Sequence, residues 1–246
     1  MQKVYLMLFA GLLLAACTQG DSNVKAAQKA AYSAIESIMP NIDVAPGDTL
    51  ACESLAFGPE VSSGPSVLPL RRIQDAIPKD MQKEAGFWMN DENGESIFDS
   101  LSIYYGLGKM AFGEGKTAIL VGRHRTERHY SAHLFVYDKV NHAFVGTQSL
   151  QFILEGGNYK GSRDAWITDL NNDGTPDIVY NFSASFESED PSLTYAIRDS
   201  IHAEIWTGNT FANLPLENIN MIREAMGLPP TGDSDIFEES SEDEFF

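Results

Sequence analysis

Cysteine is scarce in this chain, which contains two, Cys17 and Cys52, among 246 residues. Secreted domains that depend on disulfides need several paired cysteines, so a disulfide framework is excluded. We assign Cys17, which follows an N-terminal apolar run, to a covalent modification, and Cys52 is then left without a partner. No histidine lies near Cys52 in the sequence, so we expect it to be a small buried apolar residue rather than a nucleophile.

Positive charge is also scarce: 17 Lys and Arg residues are outnumbered by 35 Asp and Glu residues, which gives a formal net charge of -18. Nucleic acids and anionic lipids attract basic surfaces, so the composition argues against nucleic-acid binding and against electrostatic adhesion to a membrane. Several of the acids are concentrated between Asp233 and Glu244. We expect residues 228–246 to form a disordered acidic tail, so the folded part of the chain is less acidic.

Short signatures of catalysis are missing. The sequence contains no nucleophile elbow, no phosphate-binding glycine loop, no zinc-ligand spacing and no dinucleotide fingerprint. Asp and Glu are numerous enough that a carboxylate pair for glycoside hydrolysis stays open, but no spacing selects one. The sequence by itself therefore names no reaction.

Long apolar runs are restricted to the N-terminus. One cation, Lys3, is followed by the apolar run Val4–Leu14 and then by Ala15, Ala16 and Cys17. This run is too short for a stable membrane span and is typical of a secretory signal peptide.

The ending Leu-Ala-Ala-Cys resembles a bacterial lipobox. This resemblance implies that residues 1–16 are removed as a lipoprotein signal peptide and that Cys17 is acylated. Thr18 rather than Asp follows the cysteine, which in Gram-negative lipoproteins implies delivery to the outer membrane. Several acyl chains on one residue would anchor the protein stably. The alternative is an ordinary leader that ends in an incidental cysteine.

A helix is predicted after the leader, because apolar residues recur there at spacings of three and four and would form one stripe. Pro40 ends this pattern. The stripe consists of Val24, Ala27, Ala31, Ile35 and Ile38. We interpret residues 17–40 as a lipidated N-terminus and a helical spacer that packs on the domain or separates it from the membrane. A partner-binding helix is the alternative.

The remaining chain, residues 41–227, is predicted to be a β-rich domain. Short loops join antiparallel neighbours, so we expect a mainly β fold with an antiparallel meander, partial-propeller-like or sandwich, besides the N-terminal helix. Residues 187–200 are predicted to be a long loop, and residues 216–226 a short C-terminal helix. The predicted strands are Tyr105–Phe112, Lys116–Val121, Tyr130–Asp138, Phe144–Leu154, Ile178–Phe186 and Ile201–Thr207.

The stretch from residue 169 to residue 177 predicts a calcium site, because oxygen-bearing side chains recur there at alternate positions. Calcium prefers six to eight hard oxygen ligands, and the absence of His and Cys disfavours softer metals. Gly174 permits the sharp turn. The predicted ligands are Asp169, Asn171, Asp173, the backbone carbonyl of Thr175, and Asp177. The alternative is an Asn-Asp-Gly turn without an ion, but such a turn does not need three acids.

This loop is not an EF-hand, since Tyr180 occupies the position of the bidentate Glu and strand-like segments flank it. Asp-x-Asn-x-Asp-Gly-x-x-Asp followed by an apolar strand resembles the calcium loop of FG-GAP and VCBS-type repeats. The resemblance implies a β fold and a bound calcium ion, and it implies no particular activity. We expect the ion to be structural, because the loop offers no open position with a base beside it.

A basic stretch interrupts the acidic sequence at Arg123, Arg125 and Arg128, with His124 and His129 between and beside them. One interpretation is a solvated hairpin loop whose arginines pair with surrounding acids. The other is an anion-binding site for a carboxylate, a phosphate or an acidic glycan, because arginine presents forked donors that suit such groups.

These features predict a membrane-anchored, extracytoplasmic lipoprotein of the outer membrane with a structural calcium ion. We expect it to be a binding or envelope-associated module with a protein or glycan partner. The alternative is an envelope hydrolase that acts on carbohydrate or peptide and uses calcium as a structural ion.

The anchor can be tested by labelling cells with radioactive palmitate. We expect the full chain to incorporate the label and Cys17→Ser to lose it, because the thiol of Cys17 is the predicted acceptor. Cys52→Ser is the matched control and should be labelled like the unmodified chain. Equal labelling of all three proteins would contradict the lipoprotein assignment.

Overall fold

The computed structural model describes residues 23–44, 48–55, 57–59, 65–126, 128–188, 195–214, 220 and 222. The predicted signal peptide, Cys17 and the acidic tail lie outside these residues. Of the predicted C-terminal helix only residues 220 and 222 are described, and both are helical. No helix in the described ranges combines the length and the apolar character that a bilayer crossing requires.

Besides the helical residues 220 and 222, the described residues form three α-helices and twelve β-strands. The helices are α1 (residues 23–36), α2 (Leu70–Ala76) and α3 (Lys79–Glu84), and a 3-10 turn spans Cys52–Ser54. The strands are β1 (Leu50–Ala51), β2 (Ser66–Val67), β3 (Trp88–Asn90), β4 (Ser96–Phe98), β5 (Ile103–Ala111), β6 (Lys116–Thr126), β7 (His129–Asp138), β8 (Ala143–Gly156), β9 (Tyr159–Thr168), β10 (Asp177–Phe186), β11 (Tyr195–Trp206) and β12 (Phe211–Asn213).

The predicted mainly β fold with an antiparallel meander is confirmed. The strands hydrogen-bond in the order β12-β11-β10-β9-β8-β7-β6-β5-β2, with β1 pairing to β9, and β3 and β4 form a separate ribbon. Successive strands from β5 to β12 are therefore neighbours, as short connections dictate. The chain divides into two compact units, and β8 contributes its first half to the first unit and its second half to the second.

In the first unit, helices cover one face of the strands. Tyr32 and Ile35 of α1 are buried and pack in one cluster with Ile119, Phe135 and Tyr137 of β6 and β7. The rings of Tyr32 and Tyr137 stack with their centroids 3.5 Å apart. The predicted N-terminal helix is thus present and packs on the sheet. Its buried stripe is centred on Tyr32 and Ile35, whereas Val24 is 64% exposed.

Strand β7 is buried on both faces from Ala132 to Tyr137, since Ala132, Leu134 and Val136 point away from the helical layer and are also buried. Such strands carry near-continuous apolar runs, which the sequence Ala-His-Leu-Phe-Val-Tyr shows. The free thiol of Cys52, in the second unit, is buried as predicted. Burial and the charge of Asp164 raise the pKa of Cys52 to about 12, which keeps the thiol protonated and unreactive.

In the second unit, a smaller apolar cluster lies on one face of β9, β10 and β11. Val179, Ile201 and Ala203 form its buried centre. Trp166, Leu170, Leu214 and Ile222 pack against that centre. The rest of these strands carries many polar side chains. Candidate binding and catalytic groups of this unit therefore lie on the sheet as well as in its connecting loops.

Three details of the strand prediction are wrong. Residues 195–200 belong to β11 rather than to a loop. Most of β9 was not predicted, because only its end reads as a strand in the sequence. Strand β6 extends to Thr126, so the arginine-bearing stretch is mainly strand rather than a solvated loop. In β9 and at the end of β6, backbone pairing with a neighbouring strand stabilises a polar sequence whose own propensity is weak.

Candidate functional site

The predicted calcium loop connects β9 to β10 in the second unit. Thr168 and Asp177 are register partners across the two strands, so they close the loop at its base. Asn172 and Gly174 have positive φ angles of 58° and 82°. This conformation is strained for residues with a Cβ atom other than Asn or Asp, which explains the glycine.

The side-chain oxygens of the first three predicted ligands turn into the loop. The carboxylate of Asp169 accepts from the amide of Asp173 at 3.1 Å and from the amide of Gly174 at 2.9 Å. Asn171 Oδ1 accepts from the amide of Asp173 at 3.0 Å, and Asp173 Oδ1 accepts from the amide of Thr175 at 2.7 Å. The hydrogen bond from the backbone amide of Thr175 is the largest of the effects that lower the pKa of Asp173.

Asp177, the last predicted ligand, is fully buried. Its carboxylate accepts from the amide of Leu170 at 3.0 Å and from the amide of Trp206 at 2.9 Å. Burial raises the pKa of Asp177, and the negative charges of Asp173 and Asp169 act in the same direction. Asp177 therefore ties the loop to β11, at the cost of a buried negative charge.

The donor set fits a hard cation. Asp169, Asn171 and Asp173 share one loop and present carboxylate and amide oxygens, which are calcium ligands. Among the described residues, no group of three or more His, Cys, Asp or Glu side chains stands in an arrangement that would hold a metal. The loop oxygens are instead occupied by amide hydrogens of the loop itself, so calcium stays a prediction at this site.

The three predicted anion-binding arginines lie in different surroundings. Arg123, in the first unit, forms an ion pair with Asp99, which is fully buried. The hydroxyl of Ser102 donates to the same carboxylate at 2.6 Å and accepts from Arg123 Nε at 3.1 Å. Burial opposes the ionisation of Asp99, but the hydrogen bonds from Ser102 and Arg123 outweigh it and hold the pKa of Asp99 below its usual value.

Arg125 and Arg128 are both exposed. In the second unit, Arg128 Nε lies 3.9 Å from a carboxylate oxygen of Glu155. Two of the three arginines thus pair with acids, as one interpretation of this stretch expects. The anion-binding interpretation stays a prediction, and the charge of Arg123 is already balanced by Asp99.

A cluster that the sequence did not predict lies on one face of β9, β10 and β11. Arg163 places its guanidinium 4.8 Å from the ring centroid of Tyr180. The hydroxyl of Tyr180 donates to Glu204 at 3.3 Å, and its ring stacks on His202 with the centroids 5.3 Å apart. His202 Nε2 lies 2.9 Å from the hydroxyl of Ser200.

Burial perturbs the ionisation of this whole cluster. It lowers the pKa of Arg163 and of His202, with the charge of Arg163 adding to the effect on His202. It raises the pKa of Tyr180 and of Glu204. Arg163 Nε and Glu204 Oε2 are buried without a hydrogen-bond partner among the described residues. Such concentrations of perturbed groups are typical of functional sites.

One signal in the sequence could have located the cluster. Ser200, His202 and Glu204 alternate along one strand and so share one face. Assigning residues 187–200 to a loop separated Ser200 from the other two. Tyr180 and Arg163 come from other strands, and their proximity depends on the strand register.

No protein-family model, no curated protein and no solved structure matches this chain. The residues themselves therefore carry the functional argument.

Arg123→Gln should destabilise the first unit by about 3–5 kcal/mol, because it leaves the buried carboxylate of Asp99 without its counter-charge. Arg125→Gln is the matched control on the same strand, and its exposed side chain predicts a change within about 0.5 kcal/mol. Urea unfolding of the full chain, followed by circular dichroism, measures both changes. Equal stability of the two variants would contradict a structural role for Arg123.

The same pair predicts a dependence on pH. The folded-state pKa of Asp99 is depressed, so its contribution is present above the unfolded pKa of about 3.9 and is lost as the pH falls through the folded value. Acidification below about pH 4 should therefore narrow the difference in stability between the unmodified chain and Arg123→Gln.

Proposed function

We propose that this chain is a lipid-anchored, extracytoplasmic protein of the outer membrane that acts as a binding or envelope-associated module. We propose also that its β-rich domain is stabilised by one calcium ion in the loop between β9 and β10. The anchor rests on the resemblance of the sequence around Cys17 to a lipobox. The ion rests on the geometry of the loop.

One observation carries the calcium proposal: the side-chain oxygens of Asp169, Asn171 and Asp173 turn into the same short loop. The two carboxylates repel each other there, and hydrogen bonds from neutral amides balance their charge only in part. A divalent cation would remove this repulsion and would exchange amide hydrogens for ion–oxygen contacts. The resemblance of the loop to FG-GAP and VCBS-type calcium loops supports the same ion.

The contacts of Asp177 indicate what the ion would do. Because this carboxylate joins the amides of Leu170 and Trp206, order in the loop is coupled to β11. An ion that binds the folded loop and not the unfolded chain stabilises the fold by mass action. The role of the ion is therefore structural: it would stabilise the strands whose side chains form the partner-binding surface.

Calcium should raise the melting temperature of the full chain by about 5–10 °C at a concentration of about 100 times its dissociation constant. Asp173→Ala should abolish this rise, since it removes a central ligand. Differential scanning calorimetry with calcium and with a chelator measures the shift.

Asp91→Ala is the matched control. Asp91 lies in the β3–β4 turn and accepts from the amides of Asn93 and Glu95 at 2.9 and 2.8 Å, so it resembles the loop aspartates in local hydrogen bonding alone. Its variant should keep the full calcium response. A response that survives Asp173→Ala would refute the proposed site.

An envelope hydrolase is the second candidate, and the contact between Ser200 and His202 favours it. With its pKa lowered, the imidazole is neutral at pH 7 and can accept a proton from the hydroxyl 2.9 Å away. Ser200 Oγ would then attack a carbonyl carbon, and the imidazolium would return its proton to the leaving group. The binding module ranks first because no carboxylate among the described residues is recorded at the other nitrogen of His202 to orient the ring.

A fluorophosphonate probe, which modifies activated serines, distinguishes the two candidates. A hydrolase should be labelled on Ser200, and both Ser200→Ala and His202→Ala should lose the label. Ser185→Ala, on the opposite face of the sheet, is the control and should be labelled normally. Mass spectrometry of the full chain locates the label, and an unlabelled Ser200 would contradict the hydrolase.

A further inference from the structure

A cavity of about 380 Å³ lies in the second unit, on the face of the sheet opposite the Arg163 cluster. Residues of β8, β9, β10 and β11 line it. None of the predicted calcium ligands or arginines belongs to it. Its volume lies within the range of sites for small molecules, which is about 300–1,000 Å³.

Strand register sets the chemistry of the cavity. Ser162 faces Ser183 across β9 and β10, and Lys160 faces Ser185 one step further along. Directly opposed residues of antiparallel strands share a face, so one ammonium group and three hydroxyl groups line the same floor. The small side chain of Ala196 lies at one side of this floor and leaves the space open.

Two charged residues of opposite sign line the cavity, Glu155 and Lys160. Glu155 faces Lys160 across β8 and β9, but the recorded partner of its carboxylate is Arg128, at 3.9 Å. Lys160 does not occur among the ion pairs of the described residues. Arg128 lies outside the cavity lining and is recorded beside Glu155, so the ammonium group of Lys160 is the charged donor left for a ligand.

The hydrogen-bonding groups are suited to oxygen atoms of an anion. The ammonium group of lysine offers three donors and no acceptor, and the hydroxyls of Ser162 and Ser185 can turn to donate. Bonds from a charged donor to an oxyanion are about twice as strong as bonds between neutral groups. The cavity is larger than a simple ion needs, and both serine hydroxyls and small apolar residues line the remaining space, which fits an organic body attached to that ion.

We propose that this cavity is a binding site for a small polar molecule that carries an oxyanion, either a carboxylate or a phosphate, with Lys160 as the principal contact. The site gives a ligand class to the binding role proposed above and rests on that role. It depends neither on the lipid anchor nor on calcium.

Three sugars of similar size test the proposal: D-glucuronate, glucose 6-phosphate and uncharged glucose. Saturation-transfer NMR on the full chain, in buffer without phosphate, measures binding of each. We expect glucuronate, glucose 6-phosphate or both to bind, and glucose to bind at least about tenfold more weakly. The charged sugar that binds identifies whether the site selects a carboxylate or a phosphate.

Two variants of the site should change affinity in opposite directions. Lys160→Gln should weaken binding of the charged sugar by at least about tenfold, because it removes the charged donor. Glu155→Gln should strengthen binding, because it removes the negative charge from the cavity lining. Lys29→Gln, on the exposed side of α1, is the matched control and should bind like the unmodified chain.

Three results would overturn the site: no binding of either charged sugar at millimolar concentration, equal binding of glucose, or unchanged affinity in Lys160→Gln. Palmitate labelling and the calcium shift in melting temperature are measured on the same chain without these sugars. Failure of the cavity proposal is therefore separable from failure of the anchor or of the ion.

Discussion

Alternation of side chains along a β-strand is the constraint on which this structure depends. Each strand has two faces, and each face must either pack against other residues or be exposed to solvent and ligands. In the first unit the helices cover one face, and Tyr32 and Ile35 pack among residues of β6 and β7. Apolar residues occupy both faces of the central strands there. In the second unit polar residues share each face with apolar ones, and the candidate chemistry is found on those faces.

Because side chains alternate, the two faces of β9 and β10 carry different functional groups. Arg163 and Tyr180 belong to the cluster on one face, while Ser162 and Ser183 line the cavity on the other. The predicted calcium loop lies where the two strands are joined, so its order affects the alignment of both faces. A structural ion at this place would influence binding surfaces that it does not touch.

Local patterns of sequence predicted the parts of this protein whose residues are close together in the chain. The candidate metal ligands all lie within one turn, so their spacing reveals them without knowledge of the fold. Strands β7, β8 and β10 were found because apolar residues alternate or run together in them. Strand β9 was mostly missed, since Lys160, Ser162 and Asp164 give one of its faces a polar sequence that resembles a loop.

The cavity and the Arg163 cluster could not be predicted in the same way. Lys160 and Ser185 become neighbours only through a register that places residues of two strands opposite each other. Arg163 and His202 likewise come from strands separated by β10. A shift of either strand by one residue would exchange the faces, so knowledge of the secondary structure alone would not have located either site.

The burial of Tyr32 also limits how far the first unit can lie from a lipid attached to Cys17. Residue 23, the first described residue, already lies in helix α1, which is fixed to the first unit, and the chain from Cys17 to residue 23 advances by six residues. Fully extended, those residues span at most about 20 Å. A lipid on Cys17 would therefore hold the first described residue of α1 within about 20 Å of the bilayer surface, so components of that surface would be close to the first unit.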